Sequence, residues 1–141
     1  MVDPRGQRFT AAVTTVVLAL VLLTGGVWLL AVQAGVFATG ALAGVTAGPY
    51  ARLFAHVLRP RLGPPAEYED ARPPRFAQVV GLLFATGGLV GFIGGWPLLA
   101  YSAVGAALAA AFLNAAFGLC LGCEIYLAFR RAIPRLTEVT R

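Results

Sequence analysis

Apolar positions fill two wide tracts of this chain, residues 9–51 and 76–123, and neither tract contains a charged residue. A transmembrane helix needs about 20 apolar residues to cross a hydrocarbon core of about 30 Å, so each tract is long enough for two spans. Glycine-rich breaks fall near the middle of each, at Thr24-Gly25-Gly26 and at Gly94-Gly95-Trp96-Pro97. The pattern predicts an all-α polytopic membrane protein, four transmembrane helices arranged as two helical hairpins in a single domain of residues 1–141. The first hairpin covers residues 9–47 and the second residues 76–131. Residues 52–75 form a linker between them.

Within this frame the first helix occupies residues 10–23. It has the look of a signal peptide, but no small-x-small cleavage site follows and the apolar tract continues, so it is read as a retained helix. The second helix spans residues 28–47 and carries Gly40, Gly44 and Gly48; the third carries Gly87, Gly91 and Gly95. Small residues four apart allow helices to approach closely in lipid. Gly44 and the corresponding Gly118 are expected at matching close contacts. The fourth helix is expected to run from about residue 98 through the cysteines toward Arg131, limited by Pro134, with residues 135–141 frayed. The linker holds Pro60, Pro64, Pro65, Pro73 and Pro74, a density that favours extended chain, although its start at residues 50–58 suits a short amphipathic helix on the headgroups.

Composition sharpens this. The chain is 59% hydrophobic and 12% charged, too few charges to wet the surface of a soluble domain. The net charge is +5 and all eleven basic residues are arginine. They flank the apolar tracts and are absent from both hairpin turns, which suits anionic headgroups rather than a nucleic-acid face. Basic residues stay inside. Both termini and the linker are therefore predicted cytoplasmic, in the cytoplasmic membrane, with the lipid bilayer as first partner.

The two halves also resemble each other. Gly44-Val-Thr-Ala-Gly48-Pro49-Tyr50 aligns without a gap on Gly118-Leu-Cys-Leu-Gly122-Cys123-Glu124, an offset of 74 residues (118 − 44). Pro60-Arg61-Leu62 and Pro134-Arg135-Leu136 keep that offset. Arg8-Phe9 and Arg75-Phe76 each open a hairpin. Thr46 and Pro49 thus occupy the places of Cys120 and Cys123, and only the second half carries thiols.

Those two cysteines are the one constellation with chemistry in it. At i, i+3 they share a helix face. Three readings stand: small packing residues, a dithiol that cycles through a disulfide or carries sulfane sulfur, and half of a metal site with His56 as the other weak candidate ligand. Placed near the end of the fourth helix, the thiols face the negative pole of its dipole, which disfavours thiolate. Glu124 acts the same way, and Arg130, seven residues past Cys123, opposes both. Gln33, Gln78 and Asn114 are the clearest polar residues inside spans. No charged residue lies mid-span, so an ion-coupled carrier lacks its usual groups. No cofactor is implied.

Val2-Asp-Pro-Arg-Gly-Gln-Arg-Phe9, Arg72-Pro-Pro-Arg-Phe-Ala-Gln78 and Asn114-Ala-Ala-Phe-Gly-Leu-Cys-Leu-Gly-Cys-Glu-Ile-Tyr126 together resemble the bacterial membrane family of the domain of unknown function 4395. The resemblance implies a four-helix membrane protein with no established activity. More loosely, such proteins are similar to small membrane modules attached to rhodanese sulfurtransferases, which implies sulfur or thiol traffic. The leading expectation is a thiol-active partner of a cytoplasmic rhodanese- or thioredoxin-like protein, with Cys120 and Cys123 as the dithiol. A non-catalytic scaffold, a passive pore for a small sulfur species and a homo-oligomer remain alternatives, and whether the protein is an enzyme stays open.

Overall fold

The computed structural model describes residues 4–63 and 72–139, with side chains described as far as Ala132. Helices α1 (Pro4–Thr24) and α2 (Val27–Leu42) form one hairpin, and α5 (Arg72–Ile93) and α6 (Pro97–Phe117) form the other. Between the hairpins lie a short 3-10 turn (Val45–Ala47), α3 (Pro49–Leu53), a π-helical turn (Phe54–Leu58) and α4 (Arg59–Leu62). The chain closes with α7 (Leu121–Val139). The widened turn immediately precedes Pro60, whose ring would otherwise meet the carbonyl four residues back.

Every neighbouring pair in the bundle runs antiparallel. Gly40 faces Gln78, Gly81 faces Phe37 and Gly88 faces Leu30, which lays α2 along α5. Gly88 also faces Val104 and Gly91 faces Ala100, which lays α6 along the other side of α5. Arg8 near the start of α1 reaches the carbonyls of Ala115 and Ala116 at the end of α6. The result is an up-down-up-down bundle with α1 and α5 on one diagonal.

Three helices, α1, α5 and α6, are long and apolar enough to cross a membrane, while α2 is a shorter apolar helix. Only 28%, 17% and 17% of the residues in their apolar windows are buried inside the protein. Leu23, Ile93 and Leu98 are 82%, 76% and 83% exposed. Apolar helices with so little internal burial suit an apolar surrounding such as a lipid bilayer. Trp28 and Trp96 stand exposed at the two hairpin turns, where an indole suits the membrane interface.

The core occupies the half of the bundle nearest those turns. Leu18, Val21, Leu30 and Val104 are fully buried there, with Ala34, Phe37, Ala85 and Ala107 around them. Gln33 is also fully buried; Tyr50 of α3 donates its hydroxyl to Gln33 Oε1 at 2.8 Å. That bond satisfies the carbonyl of the buried amide, whose Nε2 has no partner among the described groups.

The two hairpins are tied at the opposite end by the same device. Arg75 donates from Nε to the Ala41 carbonyl (2.7 Å) and from Nη2 to that of Leu42 (2.8 Å). Arg8 donates from Nη2 to the carbonyls of Ala115 (3.2 Å) and Ala116 (3.4 Å). Ala115 and Ala116 are Ala41 and Leu42 shifted by 74 residues (115 − 41, 116 − 42). In each half an arginine from one hairpin caps the helix end of the other, where unsatisfied carbonyls carry partial negative charge. Phe9 packs on Phe54 (5.8 Å between ring centroids) and Phe76 on Tyr126 (5.6 Å), although Phe54 and Tyr126 are not equivalent at that offset.

Several expected boundaries move. α2 ends at Leu42 rather than 47, and α6 ends at Phe117 rather than passing through the cysteines, because Gly44 and Gly118 take positive φ (108° and 69°). Neither therefore makes the close helix contact expected of it: a Cβ at Gly44 would meet nothing within 4 Å. Close approach falls instead on Gly40, Gly81, Gly88, Gly91 and Gly122. Residues 49–58 are helical, as expected, but the helix runs on through Pro60 to Leu62 where extended chain was expected, and α5 begins at Arg72 with Pro73 and Pro74 in its first turn, where their missing N–H groups leave no helix bond unmade. α7 runs through Pro134 to Val139. Glu67, Glu69 and Asp70 of the expected linker lie outside the described residues.

A Cβ at Gly91 would stand 2.5 Å from the Ala100 backbone nitrogen. Gly91→Leu is expected to destabilise the bundle by about 1–3 kcal/mol through overpacking. Gly105→Ala, where a Cβ meets nothing within 4 Å, should be neutral or stabilise by up to about 1 kcal/mol. Thermal unfolding in detergent measures both, and equal melting temperatures for the two variants would contradict this packing.

Candidate functional site

Gly118 decides where the cysteines sit. In left-handed conformation it donates its N–H to the Asn114 carbonyl at 2.9 Å, and Leu119 donates to that of Leu113 at 3.2 Å, closing α6. This is a conformation a glycine adopts without a Cβ penalty. The chain then turns and starts again as α7. The Cys120 carbonyl accepts the first bond of the new helix, from the Glu124 N–H (3.0 Å), and Cys120 Sγ accepts the Cys123 N–H at 3.2 Å. Cys120 is thus the N-cap of α7, and its sulfur does what a serine or aspartate oxygen usually does there.

The expected electrostatics are overturned by this placement. The pair lies at a helix N-terminus, whose unpaired N–H groups favour a thiolate, and not at a C-terminus, which would oppose one. Cys120 and Cys123 are joined by a disulfide across the first turn, with Cα atoms 5.1 Å apart. Glu124 lies exposed in that first turn. Arg130 does not turn back to the thiols; its guanidinium stands 5.9 Å over the Tyr126 ring, and Tyr126 packs on Phe76 of α5. Gly122, between the cysteines, presses this turn against α5: a Cβ there would lie 2.7 Å from Ala77 Cα. His56 sits exposed on the π-helical turn. Among the described residues no three His, Cys, Asp or Glu side chains come together to hold a metal ion.

Both cysteines line a cavity of about 420 Å³ that reaches from α7 to the core residues Phe37 and Ala107. Its walls are mostly apolar: Ala106, Ala107, Ala110 and Ala111 of α6, Ala77, Gly81 and Phe84 of α5, and Ala11 of α1. Gln7, Arg8, Thr10, Thr14, Gln78 and Asn114 add polar groups. The Thr10 hydroxyl is buried with no partner among the described groups. Gln78 and Asn114 stand out in the sequence as polar residues within spans. Arg8, Thr10 and the alanines do not, since an arginine at a span end and alanines within one are ordinary.

The repeat held a signal for the alanines. At the 74-residue offset, Ala110 and Ala111 replace Val36 and Phe37, and Glu124 replaces Tyr50. In the first half Val36 and Tyr50 border a space of only about 10 Å³. The large side chains that fill one half are missing from the other, on the side where the thiols are.

Gly118→Ala should cost about 1–2 kcal/mol by forcing a Cβ into left-handed backbone. A lowered melting temperature in detergent is the expected result. An unchanged one means that α6 does not break at this residue.

The family model described as Domain of unknown function (DUF4395) matches residues 2–131. No curated protein and no solved structure matches the chain.

Proposed function

This chain belongs to the DUF4395 family, and we propose that it is a membrane-embedded thiol–disulfide protein whose Cys120 and Cys123 alternate between dithiol and disulfide in exchange with a cytoplasmic rhodanese- or thioredoxin-like partner. The observation that carries this reading is the seat of the pair at the N-terminus of α7, with Cys123 N–H donated to Cys120 Sγ. Packing residues have no need of a helix N-terminus or of a cavity behind them.

The chemistry follows from the seat. In the reduced state Cys120 carries the sulfur that the α7 N-terminus stabilises, so it is the attacking thiolate. It displaces one sulfur of a partner disulfide and forms a mixed disulfide. Cys123 then attacks Cys120 Sγ, which releases the partner as a dithiol and leaves the Cys120–Cys123 bond. Run backwards, the same steps reduce the disulfide. The fully buried Leu18, Val21, Leu30 and Val104 fill the far half of the bundle, which favours this reading over a passive pore.

We further propose four crossings, with both termini and the arginine-rich connection on the cytoplasmic side. α1 and α5 run in the same direction, so the chain must return between them, and α2 lies along α5 as that return. Arg5, Arg8, Arg75 and Arg130 all belong to the end of the bundle opposite the hairpin turns, which supports a cytoplasmic placement of that end. Thiols there are kept reduced unless they turn over, so a disulfide on this side supports a cycling pair. Reporter fusions after Arg141 and beside Asp70 should both read cytoplasmic; external activity at either site puts the cysteines on the other side.

Thiol trapping in intact cells tests the dithiol. Both oxidation states should be populated, and Cys120→Ser or Cys123→Ser should each remove the shift between them. Glu124→Gln, which takes a negative charge from beside the sulfurs, should speed alkylation of the reduced protein at neutral pH by about two- to tenfold. If the double Cys→Ala variant replaces the wild type fully in a deletion strain, the pair is packing.

A further inference from the structure

A redox pair in a membrane needs a source or sink for its electrons, and the cavity behind Cys120 and Cys123 has the features of a site for one. Its volume of about 420 Å³ falls within the roughly 300–1,000 Å³ of small-molecule pockets. Its walls are mostly alanine, glycine and phenylalanine, and the one charged group among its lining residues, Arg8, is already engaged by the Ala115 and Ala116 carbonyls, so a multiply charged solute gains little by entering. It is also reached from the side. α5 and α6 touch through Gly87, Gly88 and Gly91 against Ala103, Val104 and Ala100. Nearer α7 both line the cavity, and Phe84, Ala106 and Ile125 border it and are exposed. A molecule dissolved in the bilayer meets those residues directly.

The interior is not uniformly apolar. Gln78 and Asn114 contribute amides to its lining. An acyl chain has no use for these donors. A flat ring bearing carbonyl oxygens does, since its ring packs on alanine and phenylalanine while its oxygens accept hydrogen bonds. The first half of the protein carries neither thiols nor a comparable space, so the space and the sulfurs occur together.

We propose that this cavity binds a lipid-soluble quinone, which exchanges two electrons with the Cys120–Cys123 pair. In the oxidising direction the two thiols lose two protons and two electrons and form the S–S bond. The two quinone carbonyl oxygens take up those electrons and two protons, giving the hydroquinone. The assignment rests on the pair being redox-active, as proposed above, and adds the membrane-side electron acceptor.

The test uses the full-length protein in detergent or nanodiscs, reduced with dithiothreitol, desalted without air and mixed with decylubiquinone. Diamide, a water-soluble thiol oxidant, runs in parallel. One hydroquinone should form for each disulfide regained. Ala110→Phe fills the cavity and should lower the ratio of quinone-driven to diamide-driven oxidation by about tenfold or more. Asn114→Leu keeps the shape and deletes an amide of the lining, so it remains informative if the phenylalanine variant does not fold. It should raise the decylubiquinone concentration for half-maximal rate several-fold. Oxidation by diamide but not by decylubiquinone, or an unchanged ratio in both variants, overturns the quinone site and leaves the thiol exchange standing. If neither oxidant restores the disulfide, the redox role itself falls and the quinone site with it.

Discussion

The left-handed backbone at Gly118 sets the polarity of everything near the thiols. Had α6 continued through Cys120 and Cys123, the pair would lie along a span near the negative end of a long helix. Because α6 stops at Phe117, the carbonyls at its end are freed, and Arg8 from the other hairpin takes two of them. Because α7 starts afresh, the same two sulfurs meet the positive end of a new helix. One residue without a Cβ therefore converts an environment hostile to thiolate into one that favours it.

That break has a counterpart at Gly44, and the likeness shows what is specific to the second half. Both glycines take positive φ, both follow a helix end capped by an arginine from the opposite hairpin, and both lead into a helix that lies against the bundle, α3 beside α1 and α7 beside α5. The first half then fills its interior with Phe37 and with Tyr50 bonded to Gln33. Alanine and glutamate stand at the equivalent places in the second, and the cavity follows from that missing volume. Close packing elsewhere keeps it from collapsing: the glycine contacts of α5 with α2 and α6 hold the helices in position, and interiors built this tightly relax only partly around a void.

The division of the bundle also bears on where stability and chemistry reside. Leu18, Val21, Leu30 and Val104 make a solid half beside the hairpin turns. The half beside α7 trades packing for space, and its helix ends are held by charge-assisted hydrogen bonds from Arg8 and Arg75 instead. Such bonds fix geometry without occupying the interior.

The sequence by itself determined that the chain is helical and apolar enough for a membrane, where its hairpins turn, that its halves repeat, and that only the second half carries cysteines. Those follow from hydropathy, glycine breaks and an offset that survives in the primary structure. Its family, too, was legible in three short motifs. Sequence did not determine on which pole of a helix the cysteines sit, since Gly118 between apolar neighbours can continue a span or end one. Nor did it assign Arg8 to the carbonyls of residues more than a hundred positions away, place Arg130 over Tyr126, or show that four ordinary alanines enclose a space. Each depends on which helices lie side by side, and that is settled by packing across the bundle rather than by any local pattern.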